Sequence, residues 1–375
     1  MLDAIVVGLG VMGSAALAAL ARRGRRVLGL EQFAAGHDRG SSHGHTRVIR
    51  TAYFEHPAYV PLCRQAFRAW RDLERRLERR LLIDCSCLQI GSPEGELITG
   101  VRRAADEHCL AVESLAPADL RRRFPDFRFD DSYAAALEHE AGILLVDDCV
   151  HALLDDARSA GAEVVENCPV QHWEVEGRGV TVHAAARTFR ADRLIVAAGP
   201  WAGRWLNAAG ARLRVMRQVS AWLNPTDCGR FAPERFPVFL ADTPQGCYYG
   251  IPATHSRGLK IAQHYGAPEL LDVDAVERAV EASDLQPLSR FLRQHIPAAD
   301  GPIEQHSVCV YTLSPDRHFI VDRLPSQPEV CVATGFSGHG FKFAPVVGEI
   351  LADLADGRLE RGPPLFRIDR WTNSA

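Results

Sequence analysis

One stretch near the start of the chain restricts its fold more than any other. Ala4-Ile5-Val6-Val7 is a short apolar run that ends in Gly8-Leu9-Gly10-Val11-Met12-Gly13, a Gly-x-Gly-x-x-Gly pattern. An alanine-rich helical pattern, Ser14 to Arg22, follows at once. Strand, glycine turn, helix is the order that a dinucleotide-binding βαβ unit requires. Gly8 permits the tight turn, Gly10 lets the backbone approach a pyrophosphate, and Gly13 lets helix and strand pack closely. Val11 and Met12 open the helix, whose free N–H groups and positive dipole end face the phosphates. A second strand, Arg26 to Leu30, ends at Glu31, 18 residues past Gly13. A carboxylate there accepts hydrogen bonds from a ribose diol and repels a 2′-phosphate, which argues against NADP. These residues alone leave FAD and NAD both open.

The chain has 375 residues, enough for about two domains. A net charge of −4 gives no sign of a nucleic-acid partner or an anionic membrane. No apolar run reaches the length of a membrane span. The N-terminus lacks the basic region of a signal peptide, and Asn373-Ser374-Ala375 carries no peroxisomal or lipid signal. Ten cysteines without paired spacing read as small buried hydrophobes in a reducing compartment, so the expected location is the cytoplasm.

Past Glu31, the polar stretch Gly36 to Arg50 crowds His43, His45, Arg47 and Arg50 together and reads as a loop touching cofactor or substrate. His43-Gly44-His45 lacks a carboxylate or cysteine at ligand spacing, so no metal is expected. Amphipathic helix patterns cover Pro61 to Leu82, Ser92 to His108 and Asp147 to Ala160, with a short helix over Leu115 to Phe124. Period-two alternation marks Glu163 to Glu166, Gln171 to Val175 and Gly179 to His183 as strands. The apolar run closing on Ala197-Ala198-Gly199 reads as a second cofactor-side strand. That spacing is unusual for a simple NAD dehydrogenase and favours FAD. A strand-rich block runs from Leu213 to His264, and Val273 to His295 reads as helical with a break near Leu285-Gln286-Pro287.

Two further stretches carry a specific resemblance. They are Cys309-Val310-Tyr311-Thr312, with Pro315-Asp316-Arg317-His318-Phe319 after it, and Gly335-Phe336-Ser337-Gly338-His339-Gly340-Phe341-Lys342. With the glycine motif and the Gly40-Ser41-Ser42-His43-Gly44-His45-Thr46-Arg47 loop, they fall in the order of the monomeric sarcosine oxidase family, which includes N-methyltryptophan oxidase and the pipecolate oxidases. The chain resembles that family over nearly its whole length. The resemblance implies FAD attached through its 8α-methyl to a cysteine sulfur, here Cys309, with His43 and Arg47 beside the flavin. Thr46, Gly338 and Gly340 fall in matching cofactor-side segments. It implies a substrate carboxylate held between Arg50 and Lys342, and dioxygen activated at Lys260. Tyr249 and His264 match residues that line the substrate pocket.

The implied fold is α/β: a glutathione-reductase-like, Rossmann-type FAD-binding domain carrying a mixed-sheet α+β substrate domain. The expected pieces are 1–85, 147–212 and 320–375 for the first domain, and 86–146 and 213–319 for the second. The implied activity is oxidation of a secondary, N-methyl α-amino acid to an imine, which hydrolyses to the demethylated amino acid and an aldehyde, with hydrogen peroxide from dioxygen. The implied enzyme is a monomer. A related dehydrogenase feeding a quinone or carrier protein, and a flavin-binding subunit without turnover, are the alternatives. Lys260 argues against the first, and Arg50, Lys260 and Lys342 together argue against the second. The chain departs from the family at His45, where the loop often has Asp, and around Gln218 to Trp222 and Thr254 to Arg257, where substrate size would be decided.

Overall fold

Side chains alternate across the first strand, Leu2–Val7: Ala4 and Val6 enter one apolar cluster, Ile5 and Val7 another, and all four are buried. The computed structural model describes residues 1–177, 179–184, 187–254 and 257–371. Here Leu2–Val7 lies at the centre of a sheet and pairs in parallel with Val27–Leu30 and Arg187–Val196. Glu163–Val165 and Gln327–Thr334 extend the parallel array outward, and Ile320–Leu324 closes one edge antiparallel. Both faces of such a sheet are covered, which is why its strands read as continuous apolar runs.

Four helices, Val11–Arg22, Tyr59–Leu77, Val146–Ser159 and Ala344–Ala355, share a core with one face. The hairpin Val170–Glu176 and Gly179–Ala184 and the segment around Leu206 share a core with the other. Helix Ala344–Ala355 approaches helix Val11–Arg22 so closely that a Cβ on Gly348 would lie 2.6 Å from the Ala15 carbonyl carbon.

The second sheet is mixed. Leu82–Gly91 pairs antiparallel with Ala134–Leu145 and parallel with Val238–Thr243, which leads through Gly246–Ile251 and Leu259–His264 to Arg214–Leu223. Ile303–Leu313 runs along the far edge of Arg214–Leu223 and sets Cys309 opposite Gln218. Phe127, Phe231, Phe236, Phe239 and Phe291 pack together beneath this sheet. The expected class therefore forms: a Rossmann-type parallel sheet joined to a mixed one. Thr46–Ile49 and Leu82–Gly91, which begin within 1–85, both pair in the second sheet.

Three local expectations are corrected. The polar stretch 36–50 is not loop throughout, because Thr46–Ile49 pairs with Gly142–Leu145. The helix expected to reach Leu82 ends at Leu77: Glu78 turns left-handed (φ 50°), and the Glu74 carboxylate accepts the N–H groups of Leu81 and Leu82 at 2.7 and 2.9 Å. The helix expected over 273–295 is a short turn at Val273–Ala275 and a helix over Ala282–His295, with Pro287 inside it. The break falls before Ala282 because Arg217 donates to the carbonyls of Glu277 and Ala279, and Glu281 and Asp284 cap the new helix. The part of 320–375 beyond Trp371 and the part of Thr254 to Arg257 at 255–256 lie outside the described residues.

Candidate active site

The glycine turn sits at the C-terminal end of the central parallel strand. Gly8 is left-handed (φ 87°), and a Cβ there would lie 2.6 Å from the Ala197 carbonyl oxygen; one on Gly13 would lie 1.8 Å from that of Gly8. A Cβ on Gly10 would meet the Ser42 hydroxyl, which already accepts the Val11 N–H. Glu31 is buried, and its carboxylate accepts the N–H groups of Leu9 at 2.7 Å and Phe33 at 3.1 Å. Those bonds fix it at the end of the second strand with lone pairs to spare.

From this end a single cleft, lined by Gly10, Val11, Met12 and Glu31, continues to Arg47, Cys309 and Gly338. Two strands from different sheets, Leu2–Val7 and Ile303–Leu313, therefore deliver its two ends. At the far end Arg47 donates to the carbonyls of Thr46 and Ser41 and, at 3.5 Å, to Cys309 Sγ. Burial alone would push the Cys309 thiol up, but His43, Arg47 and Lys260 outweigh it and bring it down to about 6. His43 Nε2 lies 3.1 Å from the Gly40 carbonyl.

Lys260 is 2% exposed and donates to the carbonyls of Gly44 at 2.8 Å and Thr46 at 3.2 Å. Its ammonium stands 4.8 Å from the Trp222 ring centre. Among the described residues no carboxylate lies within ion-pair reach, and burial, with Arg47 adding to it, holds its pKa far below the usual lysine value. A small cavity joins Lys260, Arg47, Cys309, Tyr249, Tyr311 and Gly338.

Arg50 and Lys342 stand elsewhere around the same centre. Arg50 is buried and already engaged: it donates to both Glu55 carboxylate oxygens, at 2.9 and 2.8 Å, and to the Ala52 carbonyl. Burial opposes the charge of both partners, yet their attraction leaves Arg50 raised and Glu55 lowered. Lys342 donates to the His339 carbonyl at 2.8 Å and to Tyr53 Oη at 3.4 Å. Burial, and then the Arg50 charge, bring it down to about 8. Burial likewise pushes His264 down to about 4, so the imidazole is neutral, with Nδ1 3.2 Å from Tyr311 Oη. Tyr249 faces the His264 ring edge-on at 6.2 Å.

The residues singled out from the sequence thus converge on one region, with refinements. Gly338 and Gly340 leave room for the chain's own rings, Tyr311 and Phe336, whose atoms a Cβ would meet at 2.3 and 2.5 Å. His45 turns away to face Asp147 at 3.1 Å. Four residues were missed: Glu55, Tyr53, His339 and Glu138. Glu138 is buried and accepts the N–H groups of Thr51 and Ala52 at 2.5 and 3.0 Å, which holds the segment just after Arg50. A charged run, Glu138-His139-Glu140, was the only sign of it, and such runs are usually solvated.

The cleft suits a flavin dinucleotide. It begins at a glycine turn and a ribose-ready carboxylate and ends at an acidified thiol beside a guanidinium. Thr334 Oγ1, on a residue lining the cleft, and Thr46 Oγ1 are buried without hydrogen-bond partners among the described residues. The family profile described as "FAD dependent oxidoreductase" matches residues 3–354.

The chain belongs to the FAD-dependent oxidoreductase family.

A monomeric sarcosine oxidase of Streptomyces avermitilis is 38% identical over 94% of this chain and 93% of its own length. An N-methyl-L-tryptophan oxidase of Salmonella arizonae is 36% identical over 99% of both. Among solved structures, the open form of NikD, described as an unusual amino acid oxidase essential for nikkomycin biosynthesis, superposes with a TM-score of 0.83. It is 28% identical over 96% of this chain and 94% of that one. A glycine oxidase from Geobacillus kaustophilus, 21% identical with a TM-score of 0.78 over 95% of each chain, shares the fold.

Proposed function

We propose that this protein is an FAD-dependent oxidase of N-methyl α-amino acids, acting on the CH–NH bond and passing electrons to dioxygen. The observation that carries the reading is Lys260: a buried lysine with no carboxylate within ion-pair reach among the described residues, on the same small cavity as Arg47 and Cys309. Glu31 would hold the cofactor's ribose, and the turn at Gly8, Gly10 and Gly13 its pyrophosphate. His43, Thr46 and Arg47 would flank the ring system, and Cys309 Sγ would bond to its 8α-methyl. Bound FAD supplies the two-electron acceptor for the amine and returns the electrons to dioxygen.

The chain's own residues then divide the work. Arg50 and Lys342 receive the substrate carboxylate, a guanidinium being suited to bidentate pairing. Because Arg50 already holds Glu55, the incoming carboxylate competes with it or joins a shared network. With His264 neutral, Arg50, Lys342 and Arg47 are the nearby cations, and Glu55, paired with Arg50, offsets one of these charges. Their field disfavours a further positive charge, so the substrate amine binds as the free base, the form whose lone pair supports oxidation at the adjacent carbon. Lys260 offers a fixed ammonium where negative charge develops on dioxygen, and electrostatic stabilisation of that kind is strong in a dry site.

The sheets support a division in which the parallel sheet carries the nucleotide, in pieces near 1–85, 147–212 and 320–375, and the mixed sheet, near 86–146 and 213–319 and with Thr46–Ile49 and Leu82–Gly91 added to it, carries the substrate side. The name of the Streptomyces avermitilis relative, monomeric sarcosine oxidase, supports a monomer. Ten free cysteines agree with a reducing compartment, and we place the protein in the cytoplasm. No helix among the described residues is long and apolar enough to cross a membrane.

Anaerobic mixing with sarcosine, N-methyltryptophan and pipecolate in turn tests the activity. Loss of the oxidised flavin band with one of them, then recovery and peroxide on aeration, is the expected outcome. Bleaching without rapid recovery points to a dehydrogenase. Cys309→Ser tests the linkage, since its flavin should be extractable by acid.

A further inference from the structure

Three non-glycine residues with left-handed backbone meet beside His264: Tyr265 (φ 66°), Arg317 (φ 64°) and Ser337 (φ 47°). They come from three separate segments and meet at the Tyr265 side chain. Tyr265 Oη donates to the Ser337 carbonyl at 2.8 Å, and the Arg317 guanidinium lies over the Tyr265 ring at 5.3 Å. Arg317 is held in turn by Glu269 at 2.7 Å, and its carbonyl lies 3.1 Å from His339 Nε2. Left-handed backbone in residues with a Cβ costs about 1 kcal/mol or more each, and such strain gathers where the surroundings over-determine a functional surface.

The clasp has one evident product. It folds the Tyr265 ring back onto His264, with ring centres 4.1 Å apart, while Tyr311 closes in edge-on at 5.9 Å from Tyr265. Tyr249 faces the same imidazole from another side. On the oxidase reading Arg50 and Lys342 take the carboxylate, and His264, whose surroundings include both cations, marks the side left for an α-substituent. Tyr265 covers that direction.

The geometry points to Tyr265 as the residue that sets substrate size, restricting the site to N-methyl amino acids with no side chain or a very small one at the α-carbon. The inference rests on the oxidase reading above and deepens it. A relaxed side chain could swing aside for a larger substrate. This one is bonded to Ser337 and covered by Arg317, so admitting an arylmethyl group means breaking both contacts. One bulky group excluded in this way is worth a tenfold to hundredfold difference in kcat/KM, of the order that apolar pockets achieve.

Tyr265→Gly removes the ring and suits the left-handed backbone; Tyr265→Phe keeps the ring and loses only the bond to Ser337. Wild type should prefer sarcosine to N-methyltryptophan, and Tyr265→Phe, whose ring stays in place under Arg317, should keep that preference with a smaller ratio. In Tyr265→Gly the ratio should move toward N-methyltryptophan by roughly tenfold or more. Calorimetry with acetate and indole-3-acetate gives a readout that needs no turnover: indole-3-acetate should gain affinity in the glycine variant and acetate should not. If Tyr265→Gly does not fold, Tyr265→Asn opens the same space, since asparagine tolerates this backbone. An unchanged ratio and unchanged indole-3-acetate affinity in a folded variant would overturn the proposal, as would a wild type that takes both amines equally. Should no amine reduce the flavin, the oxidase reading fails, and the carboxylate affinities still decide whether Tyr265 limits size.

Discussion

Lys260 shows how one side chain can be read twice. In the sequence it is a lysine inside an apolar strand; in the structure it is an ammonium held by two carbonyls and a Trp222 ring, with no carboxylate within ion-pair reach among the described residues. Lys260→Met should slow reoxidation by air by roughly 100-fold or more while anaerobic reduction by substrate changes far less. Stopped-flow measurement of the two half-reactions checks this, and equal slowing of both would remove Lys260 from the oxygen step. Glu138 supports a different prediction. Burial raises its carboxyl to about 7 from 4.5, against the pull of the Thr51 and Ala52 N–H groups and of Arg50. The folded state therefore binds this proton more tightly than the unfolded one. Its contribution to stability is full below pH 4.5 and is lost as pH rises through about 7, a span worth roughly 3 kcal/mol. Denaturation of wild type and Glu138→Gln across that range should show wild type losing ground as pH increases; a flat difference would mean that Glu138 keeps an ordinary pKa. Cys309 and Lys260 were legible because each lies in a stretch with strong local identity. Glu138 was not, because its role depends on backbone groups 86 and 87 residues away.

At the scale of elements, the helices that cover the parallel sheet depend on small residues at their crossings. Gly348 meets Ala15 where helices Ala344–Ala355 and Val11–Arg22 touch, and the second of these begins at the glycine turn. Gly348→Leu should cost about 3 kcal/mol through overpacking. It should also loosen the cofactor, because the displaced helix carries Val11 and Met12. Thermal melting and flavin retention measure the two effects, and lower stability with full retention would show that the turn is insulated from the crossing. Most helix and strand types were readable from periodicity, whereas the strand Thr46–Ile49 and the boundaries were not. The Glu74 carboxylate ended one helix through bonds to Leu81 and Leu82, and Arg217 opened another by taking two carbonyls. Neither contact leaves a mark in local propensity, since each pairs groups that only the finished fold brings together.

For the molecule as a whole, the cleft between the sheets is the joint: the glycine turn belongs to one sheet and Cys309 to the other. A cofactor spanning it would tie the two together. Flavin-free Cys309→Ser protein should therefore melt below the loaded form and regain stability as FAD is added, by about 2.7 kcal/mol at a hundredfold excess over Kd. A melting point indifferent to FAD would mean that the sheets hold each other without it. The parallel order also bears on how the chain is made. Leu2–Val7 is synthesised long before one of its two partners, Arg187–Val196, and longer still before the strand beyond that, Gln327–Thr334. Until Arg187–Val196 emerges the nascent polypeptide carries an apolar strand with an unsatisfied edge, and pairings of such long sequence separation form slowly. Recombinant yield should thus respond to slower translation, lower growth temperature and added chaperone more than to any change at the catalytic centre.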